Sequence, residues 1–351
     1  MSNDRSKRDS MSPTTLQPSQ NVLLTGAGFT KPFGGYLASE MWALILNEPE
    51  IHTYSRLRNC LLANRNFEVA YDHVLLSNDY GKAEKKAFID ALRRAYQHLH
   101  RSACVEFQQL AHQLCRLVVA KFGHVKQNER GFIFTLNQDL FLERHFSTDL
   151  CDISIPGLNR ADWFQARHAS PFEIGPSVDL LKNDKVEELK SHFWSGKGGR
   201  LVYLKLHGSV GWRAADGSEL LIVGTTKSSA IEKEPLLRWY SDLFKEVLHA
   251  GDRNLLVIGY GFRDSHINAV IADGIKEHRL RLYIVTPQSP DEFYDQLVPR
   301  HSVVTRPIDH RGQDIWDGLA GYYVRSVDQL ISHHWNLLPD GEALLDRLGL
   351  R

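Results

Sequence analysis

The sequence predicts an α/β protein: a Rossmann-like parallel sheet with helices on both faces, plus a helical insertion module and no zinc module. Three observations predict it. Short, near-continuous apolar runs recur along the chain: VLLT at 22–25, GFIFTL at 131–136, LVYLKL at 201–206, NLLVIG at 254–259 and LRLYIVT at 280–286. Strands buried on both faces read this way, whereas strands wetted on one side alternate. Between the runs lie segments with apolar residues at steps of three and four, the period of helices lying on a sheet. Most of the runs also empty into glycines or small polar residues, the usual entry to a tight turn.

Composition narrows the class. The 351 residues leave room for a large domain carrying an insertion. The 42 basic and 42 acidic residues balance, which argues against direct nucleic-acid binding or a membrane-surface role. Cys60, Cys104, Cys115 and Cys151 form no CxxC pair, so neither a tetrahedral zinc site nor a secreted disulfide framework is expected. The chain shows no apolar run of the roughly 18 residues a membrane span needs, and no signal-peptide core. The expectation is a cytoplasmic protein with no bound metal.

Taken in order, residues 1–20 are rich in Ser, Asp, Arg, Pro and Thr and predict a disordered arm. A domain over 21–351 follows, its Rossmann-like core at 21–48 and 128–300. The first strand is Val22–Thr25, and a helix follows over 35–47. A helical insertion over 49–127 breaks near 77–81. Its second half, 82–122, has neither Pro nor Gly and places Phe88, Leu92, Ala95, Leu99, Ala103, Phe107, Leu110, Leu114 and Leu117 on one face, as one helix or two in sequence. Gly131–Leu136 is a strand, with a short helix from near Asp139. An irregular insertion spans 150–198. After the strand at 201–206 come an edge piece at 220–223, a helix at 235–250, the strand at 254–259, a helix at 265–278 and the strand at 280–286. The tail reads as an edge strand from His301 and C-terminal helices over 310–351, around 315–323, 327–335 and the last residues.

Chemistry gathers where the strands end. In a parallel sheet, ligands lie beyond the carboxyl ends of the strands. Here those ends read Gly26-Ala27-Gly28-Phe29-Thr30, Thr135-Leu136-Asn137-Gln138-Asp139, His207-Gly208-Ser209 and Gly259-Tyr260-Gly261-Phe262. An apolar strand opening into Gly-Ala-Gly and a helix is the sequence form of a dinucleotide-phosphate site. Lys31 stands where a third glycine is usual. Each cluster also has a plain structural reading: Asp139 and Asp264 as helix N-caps, Asn137 as a turn residue, and His207 as a histidine satisfied by backbone groups in a tight turn.

The four segments in this order resemble the sirtuin (silent information regulator) superfamily, over roughly residues 21–290. The chain shows GAGFT, TLNQD, HGS and GYGFRDSHIN. The last form is most similar to the sirtuin-like domains of bacterial anti-phage defence proteins that hydrolyse NAD+. The resemblance implies that Gly26, Ala27, Gly28 and Thr30 hold the NAD+ pyrophosphate, with Phe29 in the same loop. It implies that Asn137 positions the nicotinamide ribose and a water, and that Asp139 contacts the carboxamide side of nicotinamide. His207 contacts the ribose hydroxyls as general base or orienting group. Thr135, Gln138 and Gly208 belong to the nucleotide-binding set. Gly259, Tyr260 and Phe262 line the adenosine ribose side, and Thr286 approaches the adenine.

The chain departs from deacylase sirtuins. No cysteine follows Cys151, so their zinc-binding pairs are missing. Lys31-Pro32-Phe33-Gly34-Gly35 replaces their Pro-Asp-Phe-Arg segment, and no strand for an acyl-lysine peptide is recognisable. The expected function is therefore hydrolysis of NAD+ to nicotinamide and ADP-ribose, as the toxic effector of an anti-phage system. The expected partners are further copies of the chain and a separate sensor or ATPase subunit. A protein deacylase or ADP-ribosyl transferase, and a non-catalytic NAD+- or ADP-ribose-binding sensor, are the other readings.

Overall fold

The computed structural model describes residues 15–105, 108–146, 150–158, 177–195, 199–218, 220, 222–224, 227–298, 311–331 and 337–350. The strands among them are β1 (Gln17–Thr25), β2 (Glu129–Thr135), β3 (Ile153–Ser154), β4 (Val178–Asp179), β5 (Leu201–Lys205), β6 (Trp212–Arg213), β7 (Asn254–Ile258), β8 (Arg281–Thr286) and β9 (Leu319–Val324). Seven of them form one sheet in the order β3-β5-β2-β1-β7-β8-β9. Every pairing in it is parallel. β4 and β6 make a separate parallel pair.

The apolar runs explain the two-sided burial. Along β1, Val22 and Leu24 enter one core and Leu23 the opposite one; Phe132 and Phe134 divide from Ile133 in β2 in the same way. The first face is covered by the helices Pro235–Leu248 and Ser265–His278 through Leu237, Phe244, Val247, Ile267 and Ile271. The second is covered by the helices Gln108–Gly123 and Pro339–Leu348 through Leu114, Val118, Leu344 and Leu348. A third core, built on Met41, Ile45, Leu61, Phe67, Phe88 and Leu92, holds the helical module together.

Packing moved several boundaries. β1 begins at Gln17, so residues 15–20 are not part of a disordered arm; residues 1–14 lie outside the described residues. Leu16 is buried, and its N–H donates to the Trp194 carbonyl at 2.9 Å. Ladder pairing with β2 stabilises a stretch poor in large apolar side chains. The helix Gln108–Gly123 serves the sheet, whereas Ala38–Leu46 contributes Met41 and Ile45 to the module. Helical period reveals a buried face but not what covers it.

The segment read as a helix at 315–323 instead ends the helix Arg311–Asp317 and forms β9. Its Leu-Ala-Gly-Tyr-Tyr-Val is strand-prone, and Gly321 lets the strand lie close to Tyr283: a Cβ there would come within 2.8 Å of that ring. Of the helix read at 327–335, Val327–Leu330 is a 3-10 turn and 332–336 lies outside the described residues. The edge strand read from His301 also lies outside them. Residues 220 and 222–223 form no strand. The insertion at 150–198 contributes β3, β4 and the helix Asn183–His192. Among the described residues no helix is long and apolar enough to cross a membrane.

Candidate active site

The chain leaves β1 for β2 on one side of the sheet and later returns to β7 on the other. Such a reversal leaves a crevice beyond the carboxyl ends of β1 and β7. A cavity of about 670 Å³ lies there, within the few hundred to 1,000 Å³ usual for ligand sites. The helical module closes one wall with Phe67, Glu68, Tyr96 and Leu99. Of the residues picked from the sequence, Gly26, Ala27, Gly28, Thr30, Asn137, Gln138, Asp139, His207, Gly259, Tyr260 and Thr286 line the cavity.

Phe29, Thr135, Gly208 and Phe262 do not line it. Phe29 is buried edge-on against Phe141, ring centres 6.0 Å apart. Phe262 packs into the sheet core against Phe293. Its backbone sits at φ 49°, with its carbonyl accepting from Asn268 Nδ2 at 2.8 Å. Gly208 forms the turn after β5 at φ 69°. Thr135 acts one step back: its hydroxyl accepts from Thr25 Oγ1 at 2.8 Å and from the Asn137 N–H at 3.1 Å.

The glycine corner works differently from the sequence expectation. The Gly26 and Gly28 N–H groups donate to the Ile258 and Gly259 carbonyls at 3.0 and 2.8 Å, and the Phe29 N–H to the Gly26 carbonyl at 2.9 Å. The Gly26 and Gly28 donors tie the corner to the end of β7 and its turn, and the Phe29 donor closes the corner on itself. The helix behind the corner, Ala27–Thr30, is one turn long. A Cβ on Gly28 would lie 2.7 Å from Gly259 Cα, and one on Gly259, at φ 67°, 2.2 Å from the Phe29 nitrogen. Gly259→Ala is expected to cost about 2–4 kcal/mol from left-handed strain and overpacking. A denaturant midpoint showing less than about 1 kcal/mol would mean that the corner yields easily.

Asn137 bridges the first two clusters. Its Nδ2 donates to the Gly26 carbonyl at 3.1 Å and approaches Thr30 Oγ1 at 3.5 Å. The Asp139 carboxylate accepts from the Phe141 N–H at 2.9 Å and from Thr30 Oγ1 at 3.5 Å; the N-cap position of the helix Phe141–His145 is Leu140, not Asp139. Burial pushes the Asp139 carboxyl above the usual carboxylate range, while Lys205 opposes the rise. Lys205 lies beneath it, fully buried, paired with Glu143 at 2.9 Å and donating to the Asp139 carbonyl. Gln138 Nε2 donates to the Ile222 carbonyl at 2.8 Å, tying this loop to the next.

Sequence reasoning left a second charged group unassigned. Lys227 reaches Glu68 of the module at 2.7 Å and Asp264 at 2.8 Å. Asp264, read as a helix cap, faces Lys227 instead and makes no side-chain cap. His266 Nε2 lies 3.3 Å from His207 Nε2. Both imidazoles, Lys227, Glu68 and Asp264 line the cavity. The signal for Asp264 and His266 was present in GYGFRDSHIN; nothing local marks Glu68 or Lys227.

Burial pushes the His207 imidazole down to about 3, with Asp264 opposing and Lys227 and His266 adding to the fall. The imidazole is therefore neutral near pH 7. The stability consequence has a definite sign. The unfolded ring takes a proton near 6.5 and the folded ring only near 3, so acidification through that window favours the unfolded chain by about 1.4 kcal/mol per pH unit. Chemical denaturation at pH 7 and pH 4.5 is expected to show a lower midpoint at pH 4.5. His207→Gln should narrow the gap, and an unchanged gap would refute this assignment.

Among the described residues no group of three or more His, Cys, Asp or Glu side chains is placed to hold a metal ion. No curated protein matches the chain. A family model, the SIR2-like domain, matches residues 131–303. The match opens at β2 and takes in Asn137, His207, the Gly259–Phe262 turn and His266; the first glycine corner precedes it. A SIR2-like domain implies use of NAD+. The chain thus carries a SIR2-like domain over residues 131–303, similar to the sirtuin-like superfamily and set on a parallel sheet whose first strand brings a Gly-Ala-Gly corner to the same cavity.

Proposed function

We propose that the protein hydrolyses NAD+ to nicotinamide and ADP-ribose. The observation that carries this reading is the meeting of Asn137, His207 and the Gly26–Gly28 corner around one cavity of about 670 Å³. Cleaving the nicotinamide–ribose bond builds positive charge on the ribose while neutral nicotinamide leaves. Fixed dipoles in a water-poor cleft stabilise such charge by several kcal/mol. Asn137 and the buried Asp139 supply them near the reacting ribose. The Gly26, Gly28 and Phe29 N–H groups are engaged internally, so positive charge for the pyrophosphate comes also from Arg263 and Lys31, which line the cavity, although Lys31 is partly neutralised by Glu40.

The histidine's role changes with its environment. A general base works best with a proton affinity near the working pH, and the buried His207 falls well short alone. Alone, it can orient ribose hydroxyls and water but cannot hold the proton that the water loses. Incubation of the purified chain with NAD+, followed by chromatography, tests the reading. Free nicotinamide with ADP-ribose is expected. Product only in the presence of an acylated peptide would favour a deacylase, and no product at all a binding subunit.

The proposal extends to setting. The GYGFRDSHIN form supports a toxic effector of a bacterial anti-phage system. Because unregulated NAD+ loss would poison the cell that makes it, activity is held in check by self-assembly or by a separate sensor or ATPase subunit. Mass measurement in solution tests this: a fully active monomer needing no partner would refute it.

A further inference from the structure

His266 belongs to no role assigned so far. It follows Asp264 by two residues in the first turn of the helix Ser265–His278 and faces the cavity half-buried, whereas His207 is fully buried. The Nε2 atoms lie 3.3 Å apart with ring centres 5.4 Å apart, so a single hydrogen must lie between two nitrogens, one donating and one accepting. The charged groups acting on the pair come from three elements: Asp264 from the turn after β7, Lys227 from the helix Lys227–Lys233, and Glu68 of the module, which holds Lys227 from behind.

Resting on the hydrolysis proposed above, we propose that His207 and His266 act as a two-imidazole proton relay, with His266 as the residue that carries the proton away from His207. As the C1′–nitrogen bond breaks, its electron pair leaves with nicotinamide, and a water oxygen bonds to C1′. That water loses a proton to Nδ1 of His207 while His207 passes its Nε2–H to Nε2 of His266. The buried ring thus never keeps a positive charge. The charge ends on His266, which is closer to solvent and under the influence of the Asp264 carboxylate. When product leaves and solvent enters, the proton returns along the same path and is lost to water, which completes the reaction with one proton released.

The relay resolves a mismatch. Burial makes His207 too weak a base to hold a proton at neutral pH. Burial also lowers His266 and Lys227 adds to that fall, while Asp264 opposes it at both rings. A relay needs the second ring to be the better base, and the half-buried position of His266, against the full burial of His207, favours it in that role.

Nicotinamide release by wild type, His266→Gln and His266→Ala provides the test. Glutamine keeps a hydrogen-bond acceptor beside His207 but cannot hold a proton. The relay therefore predicts that His266→Gln loses kcat by about 100-fold, a usual worth for general acid–base help, with KM little changed. Its acid limb should move to lower pH, and added imidazole should restore part of the rate of His266→Ala. A merely structural His266 would be rescued by glutamine; turnover of His266→Gln within threefold of wild type overturns the relay. In ligand-free wild type labelled with nitrogen-15 histidine, Nε2 of His207 should carry the proton at neutral pH, and His266 should protonate first on acidification. The reverse order also overturns it. If wild type released no nicotinamide, the hydrolysis reading would fall, while the labelled rings would still decide the proton arrangement.

Discussion

Replacing Asn137 by alanine is expected to cut nicotinamide release from NAD+ by about two to three orders of magnitude, the usual loss when one preorganised dipole is removed from a charge-developing site. The fold should survive. The Gly26 carbonyl that loses the Asn137 donor still accepts from the Phe29 N–H at 2.9 Å, so the stability cost is only about 1 kcal/mol. Thr135, which holds the Asn137 backbone at 3.1 Å, keeps its bond to Thr25. The loss should therefore appear in kcat, with the unfolding midpoint moved by no more than that small cost. Asn137→Asp offers a sharper comparison: it keeps an acceptor but loses the donor to Gly26 and adds a charge near Asp139. It should be as inactive as alanine. Turnover within a few-fold of wild type in the alanine variant would remove Asn137 from the site.

The largest stability effect is expected at Lys205. Its ammonium is fully buried, pairs with Glu143 at 2.9 Å and donates to the Asp139 carbonyl, and Tyr203 donates to the same Glu143 at 3.3 Å. Removing one partner of a buried pair leaves the other charge uncompensated, at a cost of about 3–5 kcal/mol. Lys205→Met should lose that much in urea unfolding. It should also raise the Asp139 carboxyl further, because Lys205 is the main group opposing the effect of burial there. A paired replacement, Lys205→Met with Glu143→Leu, should recover most of the loss, since apolar substitutes for a whole buried pair are often neutral. A single variant costing less than about 1 kcal/mol, or a double variant no better than the single, would show that the pair does not support the fold.

The glycine corner shows how far local pattern reaches. Gly26 and Gly28 stand out in the sequence because a strand ending in Gly-Ala-Gly has a familiar use. Their actual neighbours are the backbone of Gly259 and Tyr260, more than two hundred residues away in the chain. Which amides remain available for a ligand is decided by that encounter, and no window of sequence contains both halves. Asp264 teaches the same lesson: its place before a helix suggested a cap, but Lys227 and its link to Glu68 draw the carboxylate elsewhere. His207 was legible as a site residue, yet its proton affinity was not, because the burial that sets it comes from the whole cavity.

By itself the sequence determined the five main strands, the alternation that makes them a parallel sheet, and the polar residues at their carboxyl ends. All of these are written in runs of a few residues, where apolar period and turn chemistry act locally. Only the tertiary structure decided that β1 starts at Gln17, that β9 replaces a helix, and that the helix Gln108–Gly123 serves the sheet while Ala38–Leu46 serves the module. It also decided which groups face His207. These outcomes depend on contacts between segments distant in the chain, and their energies exist only once the segments have met.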